Sequence, residues 1–234
     1  MDFIQGEILP FDKPYRWTSF DLVAKVRYLI CRHLGIKKLK VGHTGTLDPL
    51  ATGVMVICTG KKTKLIKQLQ QHQKQYIATL QLGATTPSFD LEKPIDQTFP
   101  TQHINLNLIQ NTLTQFQGDI LQVPPTFSAV KIDGKRAYDY ARQGQDIQIQ
   151  PKNITISQLH ILNYNQPLQQ LTLSITCSKG TYIRALARDI GIALQSGAHL
   201  IQLQRTQLGD ISLHDCLTIE QFQEMLQNTN PSNI

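Results

Sequence analysis

One carboxylate stands in a glycine-punctuated loop of the sequence. The segment Val41–Cys58 reads VGHTGTLDPLATGVMVIC and places Asp48 directly before an apolar run typical of a buried strand. Active-site residues gather at such strand ends and turns, because a rigid scaffold positions them while the loop leaves them exposed. Aspartate before proline also begins ordinary turns, in which the side chain bonds to its own backbone. Asp48 is therefore a candidate active-site acid, and the turn alternative stays open.

Three further side chains could share a cleft with Asp48. Tyr76 opens the alternating segment KQYIATLQLG, and Tyr182 and Arg184 follow a second alternating segment, in SKGTYIR. An arginine at the start of a helix is unfavourable beside the positive end of the helix dipole, which favours a functional role for Arg184. Tyr76 has the common alternative of a core tyrosine on a strand. Spacing along the chain does not show that these groups meet.

Capping and periodicity predict the elements that position these groups. The segment TSFD at residues 18–21 has the form of a capping box, and apolar residues then recur at helical spacing until Gly35. Further helices are predicted in KKTKLIKQLQQH, INLNLIQNTLTQF and TYIRALARDIGIAL. Asp133-Gly134 predicts a hairpin turn, and NITISQLHILNY and LQQLTLSITCSKG are predicted strands. Strands and helices mix without a regular βαβ repeat, which predicts an α+β fold on a largely antiparallel sheet.

Composition and charge narrow the class of partner. The chain has 234 residues, of which 41% are hydrophobic and 17% charged, as is typical of globular proteins. A net charge of +6 and a pI near 9.1 favour a polyanionic partner. No apolar run approaches the roughly 20 residues that span a bilayer, and the N-terminus lacks a signal peptide's charge pattern, so we expect a cytoplasmic protein. The scattered cysteines are predicted to be buried thiols, with disulfides or zinc disfavoured: Cys31, Cys58, Cys177 and Cys216.

Six segments of the chain together resemble one family. GHTGTLDPLATG, DKP followed by TSFD, KQYIATLQLGATT, PPTFSAVKIDGKRAYDYARQG, CSKGTYIRALARDIG and GAHLIQLQRTQLG look like the bacterial tRNA pseudouridine synthase B family. They run in family order from Gly6 to Gly209. That family isomerises the T-loop uridine of tRNA conventionally numbered fifty-five. The resemblance implies a pseudouridine synthase fold, in which a mixed, largely antiparallel β-sheet is flanked by helices and loops and has a central RNA-binding cleft.

The resemblance implies catalytic roles for three residues. Breaking the bond from N1 to the ribose puts positive charge on the sugar, which a nearby carboxylate can stabilise or bond to. Asp48 matches the family's essential aspartate, Arg184 its cationic partner, and Tyr76 the tyrosine that stacks on the target base. A fixed guanidinium would hold Asp48 ionised and oriented. Because product and substrate contain the same atoms, no redox cofactor, energy source or metal is expected.

The resemblance also implies substrate-binding residues. Tyr182 and Leu203 match positions that line the base pocket, and His43 matches a histidine that acts when the uridine is extruded. A lone leucine or histidine is more often structural. Residues 123–151 resemble an RNA-gripping insertion that offers phosphate contacts and stacking, and their alternative is a solvated basic helix. The remaining predicted RNA contacts are the cations Lys13, Lys131, Lys135, Arg136 and Arg142.

The sequence departs from the family pattern at two places. Arg16 stands where the first family segment usually has glycine, which leaves the conformation of that loop open. Residues 1–217 are predicted to form the catalytic domain, and residues 218–234 a short helix and tail in place of the RNA-binding PUA domain of many relatives. We therefore expect weaker tRNA affinity than in relatives with that domain.

The expected partner is the T-arm of tRNA. No membrane partner is expected, because no apolar run is long enough to span a bilayer. No guide RNA or protein partner is expected, because the gripping insertion is retained. We expect a monomer, because no unexplained apolar stripe is visible. The rival hypothesis is a tRNA-folding chaperone or tRNA binder without catalysis. The insertion and the basic surface would serve it equally well, but it would not need Asp48 and Arg184 together. A generic basic scaffold leaves all six matching segments unexplained.

Overall fold

The structure is a computed structural model, and it describes residues 1–128, 130–132, 134–143 and 148–228. The helices are α1 (Ser19–Leu34), α2 (Ile66–Leu69), α3 (Leu106–Leu113), α4 (Ala137–Arg142), α5 (Ile183–Ala193) and α6 (Ile219–Asn228). The strands are β1 (Ile8–Lys13), β2 (Val41–His43), β3 (Ala51–Thr59), β4 (Lys74–Leu82), β5 (Ala84–Thr85), β6 (Gln97–Thr98), β7 (Gly118–Gln122), β8 (Lys131–Ile132), β9 (Lys135–Arg136), β10 (Lys152–Asn165), β11 (Gln170–Cys177), β12 (Ala198–Leu208) and β13 (Ile211–Ser212).

The chain divides into two compact units. The first contains Met1–Gln75 and Gln204–Ile234, and the second contains Tyr76–Leu203. In the first unit β3 pairs antiparallel with β1 and β2, and β12 pairs antiparallel with β13. In the second unit the order β4–β11–β10–β7 forms the sheet, and β10 pairs antiparallel with both β11 and β7. The predicted α+β fold on a largely antiparallel sheet is confirmed.

Helix α1 begins and ends as its sequence predicts. The Thr18 hydroxyl accepts a hydrogen bond from the Asp21 amide (3.1 Å), and the Asp21 carboxylate accepts one from the Thr18 amide (2.9 Å). Gly35 ends the helix in the left-handed conformation, at φ 65°. Because both ends satisfy backbone groups that a helix leaves unpaired, the capping box and the glycine fix the helix boundaries.

The core of the first unit joins the two ends of the chain. Helices α1 and α6 pack against β1 and β3, and the ring of Phe222 lies edge-on to Phe11 at 5.2 Å and to Phe3 at 6.3 Å between centroids. On the other face of β3, Val54 and Val56 pack with Leu208. Strand β3 is therefore covered on both sides, which explains its continuous apolar sequence. Helix α6 lies within the segment 218–234 for which a short helix and tail are predicted, and it is an element of this core.

Strand β11 of the second unit alternates as predicted along most of its length. Its inward residues are fully buried, namely Leu171, Leu173, Ile175 and Cys177. Thr172 and Ser174 on the other face are half-buried, whereas Thr176 is buried. The hairpin predicted at Asp133-Gly134 is present as β8 and β9, with Lys131 opposite Arg136, and Asp133 itself lies outside the described residues.

Some predictions differ from the structure. The predicted basic helix after Gly60 is a 3-10 segment, Gly60–Leu65, followed by the single turn α2, because none of its residues is buried and a helix gains stability from an apolar face packed on a core. Strand β12 was not predicted, since polar residues interrupt its alternation. Among the cysteines, Cys58 and Cys177 are buried, but Cys31 and Cys216 are only half-buried.

Candidate active site

Asp48 lies in the connection between β2 and β3. His43, the last residue of β2, pairs with Ile57 of β3, so the chain must reverse between them. The Ala51 amide donates to the Asp48 carbonyl at 3.1 Å, the hydrogen bond of a four-residue turn with Pro49 in second position. Asp48 therefore begins a turn, as the structural alternative proposed. Asp48 is half-buried, so the turn holds it neither sealed in the core nor fully exposed.

The residue before Asp48 is clamped from helix α1. The Ser19 hydroxyl accepts a hydrogen bond from the Leu47 amide at 2.9 Å and donates one to the Leu47 carbonyl at 3.0 Å. Ser19 and Leu47 are both buried. Hydrogen bonds away from water are costly to break, because each lost partner leaves a desolvated group. Ser19 thus fixes the backbone immediately ahead of the carboxylate.

The residue after Asp48 is held from the β1–α1 loop. The Pro49 carbonyl accepts hydrogen bonds from the Arg16 amide at 2.9 Å and from the Lys13 ammonium at 3.4 Å. The turn that carries Asp48 is therefore held on both sides by one short segment of chain, residues 13–19. This explains physically why the segments DKP and TSFD accompany the Asp48 loop.

Lys13 was predicted to contact the substrate, but its side chain is fully buried. Besides Pro49, its ammonium donates to the carbonyls of Pro14 at 2.9 Å and Trp17 at 2.6 Å. Burial lowers the pKa of Lys13 to about 8, and the negative charge of Asp48 opposes this shift. The ammonium is thus a buried cation that faces backbone carbonyls and interacts electrostatically with Asp48.

A second buried cation supports the same loop and was not predicted. Arg205 of β12 is 1% exposed, and its guanidinium donates from Nε to the Val54 carbonyl at 2.6 Å and from Nη2 to the Gly45 carbonyl at 3.3 Å. At Gly53 the β12 backbone comes so close that an added Cβ would collide with the Arg205 carbonyl oxygen. The only sequence signal was a charged residue within the partly apolar segment LIQLQRTQL.

His43 is half-buried at the entrance to the Asp48 loop. Burial lowers its pKa, and the positive charge of Arg205 lowers it further, while the Gly45 backbone acts in the opposite direction. The lowered pKa favours the neutral imidazole. A neutral imidazole can both donate and accept a hydrogen bond, which suits the predicted contact with a nucleobase.

The second unit encloses Arg184 at the start of α5. Its guanidinium donates to the carbonyls of Ser88 at 3.1 Å and Phe127 at 3.0 Å, and its Nε lies 3.5 Å from the Asp90 carboxylate. Arg184 and Asp90 are 4% and 3% exposed. A buried carboxylate offsets the cost of a buried guanidinium, which explains how this cation is tolerated beside the helix dipole. Asp90 was not predicted, because nothing in the sequence TPSFDLEKP marks it as an ion-pair partner.

The other predicted pocket residues also belong to the second unit. Tyr76 on β4 and Leu203 on β12 are each 7% exposed. Tyr182 precedes α5 and exchanges two backbone hydrogen bonds with the Gln122 side chain, at 2.8 and 3.1 Å. The first unit, by contrast, contains Asp48, His43 and Lys13. A cleft that these residues share with Tyr76, Tyr182, Arg184 and Leu203 stays a prediction.

The predicted RNA-gripping insertion contains the β8–β9 hairpin and α4. Lys135 is exposed, and its ammonium lies 5.9 Å from the centre of the Tyr140 ring. Lys131, Arg136 and Arg142 lie on the hairpin and on α4, and their side chains are outside the described part of the structure. In the described residues, no three His, Cys, Asp or Glu side chains are grouped to hold a metal ion, and none of the helices is long and apolar enough to cross a membrane.

Two family models together match most of the sequence. The model of the TruB family pseudouridylate synthase N-terminal domain matches residues 32–183. The model of the tRNA pseudouridylate synthase B C-terminal domain matches residues 184–233.

Two curated relatives match along nearly their whole length. The chain is 61% identical over 226 residues to the tRNA pseudouridine synthase B of Phocaeicola vulgatus, covering 97% of this chain and 95% of that protein. It is 56% identical over 235 residues to the protein of that name in Bacteroides thetaiotaomicron, covering 100% and 98%.

Among solved structures, a chain from the crystal structure of a Cbf5-Nop10-Gar1 complex matches with a TM-score of 0.69 and 25% identity. The match covers 95% of this chain and 54% of the solved one, so this chain spans about half the length of that protein.

Proposed function

Because this chain belongs to the TruB family of pseudouridylate synthases, we propose that it isomerises uridine to pseudouridine in tRNA, at the T-loop position conventionally numbered fifty-five. The observation that carries the proposal is the turn at Asp48, which Ser19 holds on one side and Lys13 and Arg16 hold on the other. A carboxylate on a turn whose backbone is held on both sides is well placed to meet a developing charge, and preorganised groups need little rearrangement during the reaction.

The reaction breaks the bond between N1 of uracil and C1′ of the ribose. The bonding electrons leave with the base, and the Asp48 carboxylate stabilises the positive charge that develops on the sugar or bonds to it. The base then turns and bonds to C1′ through C5, and the proton on C5 is lost while N1 gains one. Atoms and charges balance, so the step consumes no second substrate.

The remaining residues act on the nucleoside or on Asp48. We assign Tyr76 to stacking on the target base, and Tyr182 and Leu203 to the base pocket. We assign His43 to the extrusion of the uridine, because a neutral imidazole can hydrogen-bond a displaced base. Arg184 is assigned to the orientation of Asp48.

We reassign Lys13 from substrate contact to positioning. Its ammonium is buried and donates to backbone carbonyls on either side of the Asp48 turn, which leaves it no route to an RNA phosphate without breaking those bonds. The Lys135 ammonium is exposed and is available for phosphate contact. We propose that the protein binds the T-arm of the tRNA. That the protein is a monomer stays a prediction.

The experiment uses a T-arm stem-loop RNA that carries tritium at C5 of the target uridine. The wild-type protein should release tritium, because C5 loses its proton when it bonds to C1′. Asp48→Asn should release none above background and should still bind the RNA in a filter assay. Release by neither protein, with RNA binding intact in both, would instead support the tRNA chaperone. If Asp48→Asn released tritium at the wild-type rate, Asp48 would have no essential role in the mechanism.

A further inference from the structure

Arg16 has a backbone conformation that disfavours arginine. Its φ is +66°, in the left-handed region, within the turn in which the Trp17 amide donates to the Pro14 carbonyl at 3.3 Å. A side chain with a Cβ is strained there, and glycine adopts that conformation without strain. Strained residues persist where the surrounding structure holds them, and they cluster at functional sites. The presence of arginine at this position therefore needs an explanation from its side chain.

The Arg16 backbone is joined to the Asp48 turn. Its amide donates to the carbonyl of Pro49, the residue that follows Asp48, at 2.9 Å. The carbonyls on either side of Arg16, those of Pro14 and Trp17, accept hydrogen bonds from Lys13. The point from which the side chain projects is thus fixed to the same scaffold as the candidate catalytic carboxylate.

The Arg16 side chain is exposed and stacked on an exposed ring. The guanidinium carbon lies 5.6 Å from the centre of the Tyr15 ring, and Tyr15 is 51% exposed. Within the described part of the chain, no carboxylate pairs with this guanidinium. Arginine and tyrosine planes of this kind bind nucleic acid, since the cation contacts phosphate and both planes stack on unpaired bases.

We propose that Tyr15 and Arg16 form a substrate contact, in which the guanidinium binds a backbone phosphate of the RNA loop and the tyrosine ring stacks on an unpaired base of that loop. The inference rests on the proposed function for the identity of the RNA and adds a binding site for it. The positive charge and the two exposed planes complement RNA chemically, and the link to Pro49 places the contact on the scaffold of Asp48. Binding to RNA then accounts for an arginine at a position where its backbone is strained.

Arg16→Gly tests the proposal, because glycine removes the guanidinium and relieves the backbone strain together. The Kd for the T-arm stem-loop should rise about tenfold, because one phosphate contact is lost and the stacking ring of Tyr15 loses the guanidinium that lies over it. The slope of log Kd against log salt should decrease in magnitude by about 0.7 to 0.9. The Tm should equal that of the wild type or exceed it by up to about 3 °C, so that weaker binding cannot be ascribed to unfolding.

Gln195→Gly is the matched control. Gln195 is also exposed and also left-handed, at φ +51°, but it follows helix α5 in the second unit. The Tm of this variant should likewise equal or exceed that of the wild type, and its Kd for the RNA should be unchanged. Arg16→Lys keeps the charge but loses the planar stack, and its Kd should lie between those of the wild type and Arg16→Gly.

The outcomes separate this inference from the proposed function. An unchanged Kd and salt slope in Arg16→Gly would overturn the RNA contact, even if the wild-type protein releases tritium from the same RNA. Conversely, a raised Kd in that variant, together with no tritium release by the wild type, would retain the RNA contact and overturn the isomerase function.

Discussion

At the scale of single residues, the Asp48 carboxylate depends on side chains that do not react. Ser19 bonds to both backbone groups of the preceding residue, and Lys13 bonds to the carbonyl of the following one. Small displacements of a reacting group are costly, since rates depend steeply on the distance and direction of approach. The consequence is that substitutions at Ser19 and Lys13 should alter the chemical step more than they alter RNA binding.

Ser19→Ala removes both hydrogen bonds to Leu47 and should lower kcat at least about tenfold, because the Asp48 turn then moves more freely. The Kd for the T-arm RNA should stay within about twofold, since the Ser19 hydroxyl is buried. Single-turnover tritium release and filter binding measure the two quantities. Ser157→Ala serves as the control, because that hydroxyl also bonds to a carbonyl, of Thr176 at 3.2 Å, on the sheet of the second unit. Equal effects of the two substitutions on kcat would contradict a specific role for Ser19.

Lys13 should make the reaction sensitive to alkaline pH. Burial lowers its pKa from 10.5 to about 8, so the ammonium loses its proton as the pH rises through 8 and its attraction for Asp48 is lost. We expect kcat at saturating RNA to fall above pH 8, and Lys13→Arg to move that fall to higher pH, because arginine stays protonated. An identical fall in both proteins would exclude Lys13 as the titrating group.

Over the same pH range, Lys13 affects stability in the direction opposite to its effect on activity. Between pH 8 and 10.5 the unfolded chain holds the proton that the folded chain has lost, so the free energy of unfolding rises with pH through this residue. Loss of activity above pH 8 should therefore occur without a Lys13-dependent loss of stability. Urea denaturation of the wild type and Lys13→Met at several pH values measures this contribution.

At the scale of elements, the Asp48 loop leads into β3, and β3 requires a close neighbour. Gly53 has φ +103°, and the Arg205 backbone of β12 lies where its Cβ would be. Arg205 also donates a hydrogen bond to the next residue of β3, Val54. The approach of β12 to β3 and the buried cation are thus one local arrangement. It supports the Asp48 loop from a segment late in the chain, whereas Ser19 and Lys13 support the loop from an early segment.

Gly53→Ala should destabilise the protein by more than about 2 kcal/mol, through an unfavourable φ together with a steric clash against β12. Gly118→Ala is the matched control, because Gly118 has a similar φ of +97° but no atom within 4 Å of an added Cβ. That control should lose only about 1 to 2 kcal/mol. Urea denaturation measures the free energy of unfolding of the two variants. Equal losses would show that the close approach of β12 adds nothing to the cost of a side chain at Gly53.

At the scale of the whole molecule, the last helix belongs to the core of the first unit. Phe222 of α6 is fully buried and contacts the rings of Phe3 and Phe11 near the other end of the chain. The sequence predicted residues 218–234 as a helix and tail beyond the catalytic domain. The packing of α6 on α1 and β1 instead makes it part of the unit that carries Asp48.

Phe222→Ala should therefore destabilise the protein by about 3 to 5 kcal/mol, the usual loss for a large aromatic side chain in a core. Gln223→Ala, at the next and exposed position of the same helix, should change stability by less than about 0.5 kcal/mol. Thermal and urea denaturation measure both variants. If Phe222→Ala behaved like Gln223→Ala, the packing of α6 would contribute little to the stability of the first unit.

The sequence by itself determined several of the elements and the candidate acid. The capping box, the glycine after α1, the alternation of β11 and the turn at Asp48-Pro49 are signals between residues close in sequence, and local sterics and hydrogen bonding decide them. The resemblance to a family added roles for Asp48 and Arg184.

Only the tertiary structure decided which side chains support the acid. Ser19 meets Leu47 from 28 residues away, and Arg205 meets Val54 from 151 residues away. The buried pair of Arg184 and Asp90 likewise joins distant segments. No periodicity or composition encodes such partners, because burial of a polar group is favourable only where folding brings its counterpart within hydrogen-bonding distance.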